Sequence, residues 1–241
     1  MIRTLATLLV LAALLATTVA CSPLGDDDDD TDDGEVPIEE QAPEQIIERA
    51  VARWNETETA HFVLEIDGTT YLDNDEQIEL ASAEGDLARP QSVEATASIA
   101  ISLVNLDVSL IFIGDDAYMT DFLTGSWGPA PDDFSYNPAL LLSETEGLGP
   151  VLQSLQDPEV VGRESVDGVD AVHLRGAVSD DQIEDLTAGA ITGDPIGVNI
   201  WFDAQTLDVV RLELAEPEDG TVWIIRLSQH NEPVTIEAPD V

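Results

Sequence analysis

Three histidines, His61, His173 and His230, and a single cysteine, Cys21, are the side chains that chemistry at neutral pH would draw on first. The histidines stand in no H-E-x-x-H or H-x-E frame, so no spacing sets ligands and a base side by side. The chain has no G-x-S-x-G elbow, no phosphate loop and no G-x-G-x-x-G. Gly147 and Gly149 form a lone G-x-G, and Pro150 follows where a phosphate loop needs a backbone N–H. Asp73, Asp75, Gln77, Glu79 and Glu84 approach the spacing of a calcium loop. Ile78 occupies the place that needs glycine, and the stretch reads as a turn and an edge strand. Among 50 acidic residues, paired carboxylates arise by chance. His173 alternates with Val172 and Leu174 and reads as a surface histidine on a strand. The residues therefore point to no catalytic group, no metal site and no cofactor, and away from an enzyme. Cys21 alone remains.

Cys21 closes an apolar run that begins near Leu5, after Arg3. About twelve apolar residues are too few to span a bilayer and suit a secretory leader. The segment Ala-Thr-Thr-Val-Ala-Cys resembles the lipobox of bacterial lipoproteins, with Ala20 and Val19 in place and Thr18 where Leu is usual. On this reading residues 1–20 are removed. The Cys21 thiol takes a diacylglycerol thioether, and the chain is held by lipid at the extracytoplasmic face of the cell membrane. Lipidation also accounts for a lone thiol in an exported chain. Two or three acyl chains anchor firmly, at about 0.8 kcal/mol per buried methylene, where one is marginal.

Residues 21–42 hold ten acids, no base and few bulky apolar side chains. Such a stretch cannot bury enough surface to fold and reads as a self-repelling tether. Residues 43–241 remain for one domain. The net charge is −42, with eight arginines and no lysine, which excludes a nucleic-acid partner because nothing would neutralise phosphates. With one cysteine there is no internal disulfide, and packing must stabilise the fold. A hydrophobic content of 44% suffices for a core.

The elements follow from periodicity. Residues 43–57 carry Ile46, Ile47, Ala50, Val51 and Trp54 at helical spacing. The period then drops to two. Strands are expected at 61–71, with Phe62 and Leu64 on one face, and at 78–87, 91–99 and 105–113. In the last of these Leu106, Val108, Leu110 and Phe112 share a face. Residues 117–120 form a short strand. Asn137-Pro138 and Gly149-Pro150 open two short helices. Strands at 159–166 and 170–178 are joined by Asp167-Gly168, a hairpin turn. A capped helix starts at Ser179, and strands at 196–203, 207–215 and 221–229 follow. The class is α+β: a single curved antiparallel sheet, a half-barrel, with helices on its concave side.

Residues 116–178 carry an ordered set of motifs: Tyr118, Asp121, Thr124, Gly125 and Trp127; Asn137 and Pro138; Leu148 and Leu152; and a hairpin from Val161 to Gly176. Together with the closing Glu232-Pro233-Val234-Thr235-Ile236 they resemble the LppX/LprA/LprF/LprG lipoproteins of actinobacteria. The resemblance implies a fold similar to LolA and LolB. It also implies a hydrophobic cavity that takes the acyl chains of a lipid or acylated glycolipid, and a monomer that carries or presents this cargo in the envelope. A membrane transporter is the candidate protein partner. The implied cavity residues are Phe62, Leu64, Leu106, Val108, Leu110, Phe112, Tyr118, Trp127, Leu140, Leu141, Leu152, Leu155, Val172 and Leu174. The leucines at 140, 141, 142, 152 and 155 read more readily as plain core than as cavity lining.

A different class of reading is a non-catalytic envelope sensor or scaffold that docks a protein, like the RseB-type sensors. A third is a hydrolase with an unrecognised site. An internal cavity favours the carrier, a solid core with an exposed apolar patch the sensor, and convergent buried carboxylates the hydrolase.

Overall fold

The computed structural model describes residues 37–72, 77–102, 104–131, 137–218 and 220–241. Cys21, the leader and most of the tether lie outside these, as do Asp73 and Asp75. From Val36 onward the chain forms one compact unit. Among the described residues no helix is long and apolar enough to cross a membrane.

Helix α1 (Pro43–Asn55) opens with proline at its first turn, where the missing N–H costs nothing, and buries Ile46, Ile47, Ala50, Val51 and Trp54. Order begins slightly before it. A 3-10 turn, Ile38–Glu40, buries Ile38, and Glu39 lies 3.6 Å from Arg163.

The strands are β1 (Thr59–Tyr71), β2 (Ile78–Ala88), β3 (Ser92–Ile101), β4 (Val104–Ile113), β5 (Asp116–Thr120) and β6 (Trp127–Pro129), followed by β7 (Gln156–Val166), β8 (Val169–Val178), β9 (Ile196–Asp203), β10 (Val209–Ala215) and β11 (Val222–Ser228). They form one antiparallel sheet in the order β6-β5-β4-β3-β2-β1-β11-β10-β9-β8-β7. The expected class, a single antiparallel sheet with a few helices on one face, is what the chain adopts. β6 was not expected. Three residues that include Gly128 and Pro129 show no periodicity, and pairing with β5 alone makes them a strand. Leu207, expected in a strand, sits in a turn at φ 63° because Asp203 Oδ1 accepts hydrogen bonds from the Gln205 and Thr206 amides.

One face of the sheet gathers the core: Phe62 and Leu64 from β1, Val108 and Leu110 from β4, Val172 and Leu174 from β8, Ile200 and Phe202 from β9, Trp223 and Ile225 from β11. The 3-10 turn Pro138–Leu142 is started by Asn137, whose Oδ1 accepts from the Ala139 amide at 2.9 Å. Helix α2 (Leu148–Gln153) follows. Its Gly149 faces Asn55, Val51 and Trp54, which places α2 against α1. A further 3-10 turn, Asp180–Gln182, closed by a reciprocal Ser179–Gln182 capping box, leads into the single-turn α3 (Glu184–Thr187).

Arg89 locks these pieces together. Its guanidinium donates to the carbonyls of Trp54, Thr57 and Leu142. It thereby satisfies the end of α1, where carbonyls lack partners and a cation is favoured, and ties it to the 138–142 turn.

Candidate functional site

Side-chain size decides where space remains under the sheet. On the inner face, β9 and β11 present Ile196, Val198, Ile200, Phe202, Trp223, Ile225 and Leu227, all buried. The corresponding positions of β2 and β3 include Ala83, Ala95 and Ala97. Each alanine withholds from the interior three carbons that a leucine or isoleucine would supply. The result is a cavity of about 430 Å³.

Its floor is Phe62, Ala83, Ala95, Ala97, Val108 and Leu110, with Met119 from β5. Its cover is Pro138 and residues 187–190, just after α3. Its mouth carries Tyr71, Leu72, Ile78, Ile101, Phe122 and Pro131. Among the described residues, no lining side chain is charged. Thr187 is not free to meet a ligand, because its hydroxyl donates to the Ile183 carbonyl at 3.0 Å. The interior thus offers mainly apolar contact, the environment in which burial contributes roughly 25 cal/mol per Å².

Of the residues expected to line a cavity, Phe62, Val108 and Leu110 do so. Leu64, Phe112, Leu141, Leu152, Leu155, Val172 and Leu174 are buried in the filled part of the core, and Leu140 packs against it. Leu155 rests on Gly176, where a Cβ would come within 2.7 Å of its Cγ, which gives the glycine closing the 161–176 hairpin motif its reason. Leu106 is half-buried and outside the lining. Tyr118 and Trp127 lie on the other side of the sheet. Tyr118 pairs with Ile111, and Trp127 with Thr120, while the neighbours Leu110 and Met119 face inward. A strand's alternation sends adjacent residues to opposite faces, so the motif aromatics and the cavity cannot share one. The residues that sequence reasoning missed are the alanines of β2 and β3, Met119, the mouth and residues 187–190. The signal for the first was present: alternating small residues at 83, 95 and 97, read as strand and not as missing volume.

The motif that holds Tyr118 and Trp127 has a different task. Asp121 Oδ1 accepts from the Leu123 amide (3.0 Å), the Thr124 amide (2.8 Å) and the Thr124 hydroxyl (2.9 Å). Gly125, at φ +68°, returns its N–H to the Asp121 carbonyl, and the Asp121 amide donates to Ser126. These bonds hold the Asp121 carboxyl below its ordinary pKa. Asp, Thr and Gly therefore build a tight turn that presents Phe122 and Leu123 outward.

The histidines stay apart. His173 stacks on Trp201 at 4.2 Å on the outer face, its Nε2 2.9 Å from Asn199 Oδ1. His61 pairs with Asp86. His230 is held low in pKa by burial, beside the Arg53–Asp208 ion pair.

An open antiparallel sheet with a largely apolar hollow under one half defines the class of protein by its architecture. The chain belongs to the LppX_LprAFG lipoprotein family, matched over residues 42–236. It is similar to the lipoarabinomannan carrier protein LprG of Mycolicibacterium hassiacum, 29% identical over 170 residues, covering 68% of this chain and 72% of that one. It is also similar to LprG of Mycobacterium tuberculosis, 23% identical over 235 residues, 96% of this chain and 95% of that one. Among solved structures it shares its fold with LprF of Mycobacterium bovis (TM-score 0.66, 20% identity, 82% of this chain and 96% of that one). It shares it likewise with LppX of M. tuberculosis (TM-score 0.59, 16% identity, 81% and 98%).

Proposed function

We propose that this protein is a non-catalytic lipid carrier. It is anchored through Cys21 at the extracytoplasmic face of the membrane, held off it by the acidic stretch before residue 43, and acts as a monomer. It takes an acyl chain of a lipid or acylated glycolipid into the alanine-floored cavity and carries or presents it within the envelope, with a membrane transporter as the candidate protein partner. The observation that carries this reading is the cavity, whose described lining holds no charged side chain. Relatives named as carriers of lipoarabinomannan support it.

The volume sets capacity. About 430 Å³, at roughly 30 Å³ per methylene, a size close to that of a liquid water molecule, holds on the order of fourteen carbons. That is one long acyl chain. With no base in the lining, the headgroup has no partner inside and stays at the mouth.

The test uses the Cys21→Ala chain without its leader. Organic extraction and mass spectrometry are expected to find one lipid class at near one-to-one ratio, or uptake of a fluorescent fatty acid after delipidation. A clean extract with no uptake would overturn the carrier reading.

A further inference from the structure

Six large apolar side chains among the described residues are exposed: Tyr71, Val104, Phe122, Leu123, Val161 and Val241. Val241 is the last residue, and Val161 sits at the bulge of an edge strand. The other four lie at one end of the sheet. In the meander β1 to β6 every second connection leaves the sheet at the same end. The β1–β2, β3–β4 and β5–β6 connections share one end, and the β2–β3 and β4–β5 turns share the other. Tyr71, Val104, and Phe122 with Leu123 belong to those three connections in turn. Tyr71 and Phe122 line the cavity mouth. Val104 pairs with Ile101, which also lines it, and so points to the same face.

Exposure here is constructed. Leu123 is 82% exposed and Phe122 50%, and the Asp121–Thr124–Gly125 turn fixes both in place. Holding apolar groups in water by a dedicated turn has a cost that a mere connection avoids. The charge around the mouth narrows the partner. Among the described residues, 71–72, 77–78, 101–102, 104, 121–126 and 187–190 contain no arginine, but they do contain Asp121. An anionic surface would be repelled, because attraction to one needs Lys or Arg near it.

We propose that this rim is a membrane-docking face. Tyr71, Val104, Phe122 and Leu123 enter the acyl boundary of a bilayer of neutral or zwitterionic lipid. They set the cavity mouth against the hydrocarbon, so that a chain passes tail-first without crossing water. The proposal rests on the carrier reading for its purpose, but not for its geometry. Four side chains bind weakly, as a single myristoyl chain does. Weak binding suits a protein already tethered to the same surface, because tethering raises the effective concentration and lets the mouth release.

The experiment uses the full lipidated chain in phosphatidylcholine vesicles. Leu123→Cys provides a thiol for an environment-sensitive fluorophore, and Asp115→Cys, in the β4–β5 turn at the opposite end, serves as the reference position. The label at 123 is expected to shift to the blue and to be quenched by spin-labelled lipid, and the label at 115 to do neither. Replacing part of the phosphatidylcholine with phosphatidylglycerol is expected to weaken the quenching. In parallel, the double variant Val104→Asp/Leu123→Asp, which leaves the cavity lining intact, is expected to take a fluorescent fatty acid from vesicles about tenfold more slowly. Its uptake of the same probe from water is expected to stay within about twofold of the parent. Unquenched label at 123, or transfer from vesicles at the parent's rate, would overturn the docking face while leaving the carrier reading standing. Loss of uptake in the parent itself would instead overturn the carrier reading, and the quenching would then decide the docking face alone. Concentration-dependent self-association abolished by the double variant would assign the rim to a second copy of the chain and overturn the proposal.

Discussion

The two halves of this sheet are built alike and filled differently. From β7 to β11 the inner face carries Ile, Leu, Phe and Trp. On that side α1 packs on α2, meets β7, and places Arg53 at 2.7 Å from Asp208 in the β9–β10 turn. From β1 to β5 the strands are as long and pair as regularly, yet three inner positions are alanine, and among the described residues Pro138 and residues 187–190 cover them. Interiors normally pack as densely as organic crystals, so a hollow of this size persists only where side chains are withheld. The filled half stabilises the sheet from which the hollow half is suspended. Division of labour along one sheet thus rests on residue volume and not on a change of fold.

Truncation separates the halves most sharply. Trp54 is 1% exposed, and its indole N–H donates to the Leu141 carbonyl at 3.1 Å. Trp54→Ala is expected to cost about 3–5 kcal/mol in urea denaturation. The equivalent change beside the cavity, Ile99→Ala, enlarges a space that already exists and is expected to cost under about 1.5 kcal/mol. Equal losses would mean that the hollow half is packed as tightly as the other. Arg89→Met comes next. It strands the carbonyls of Thr57 and Leu142, removes one donor from that of Trp54, which keeps the Thr57 amide, and is expected to cost about 2–3 kcal/mol while leaving the cavity lining untouched.

The same contrast explains what could be read before the structure was known. The filled half is written in large residues at regular spacing, and Ile46 to Trp54 or Val172 and Leu174 announce a buried face by their period alone. The Asp167-Gly168 turn is legible too, since both residues need positive φ, here 52° and 85°. The hollow is not written in that way. A cavity is an absence, and Ala83, Ala95 and Ala97 satisfy a strand pattern as well as leucines would. Leu140 to Leu155 were candidates for lining through the family resemblance, while their own pattern favoured plain core. They fill core because α1 and the sheet close over them. Tyr118 and Trp127 drew attention as motif aromatics, and parity then sent them to the outer face. Cys21 was read from its local segment, which lies outside the described residues, so its role as anchor remains part of the proposal.

Filling the hollow reverses the usual sign of a core substitution. Ala97→Leu adds three carbons where space already exists. It is expected to leave the melting temperature unchanged or raise it, by a gain of up to about 1 kcal/mol, as cavity-filling changes do. Uptake of a fatty-acid probe is expected to fall about tenfold. A variant that keeps the parent's affinity would show that the ligand does not occupy the alanine floor.

The smallest effect is electrostatic, and it tells the halves apart by pH. His230, on the filled side, faces Asp208, Arg53 and Asp203 and bonds the Val209 backbone; burial is the largest influence and lowers its pKa below 6.5. A folded pKa below the unfolded one means that the unfolded chain binds the proton more readily. The contribution is therefore complete above about pH 6.5 and is lost as pH falls through the folded value. Because the ring is partly exposed, the loss is expected to stay under about 1 kcal/mol. Asp121, at the mouth, is also lowered, by its turn hydrogen bonds, but its window lies below the ordinary carboxylate value of 3.8. Between pH 7 and 5, then, acid should loosen the filled half first and leave the rim turn intact. Denaturation midpoints of the parent and of His230→Gln, taken across that range, check this. The parent should lose stability on acidification and the variant should lose less. Identical pH profiles would mean that the loss comes from groups shared by both halves.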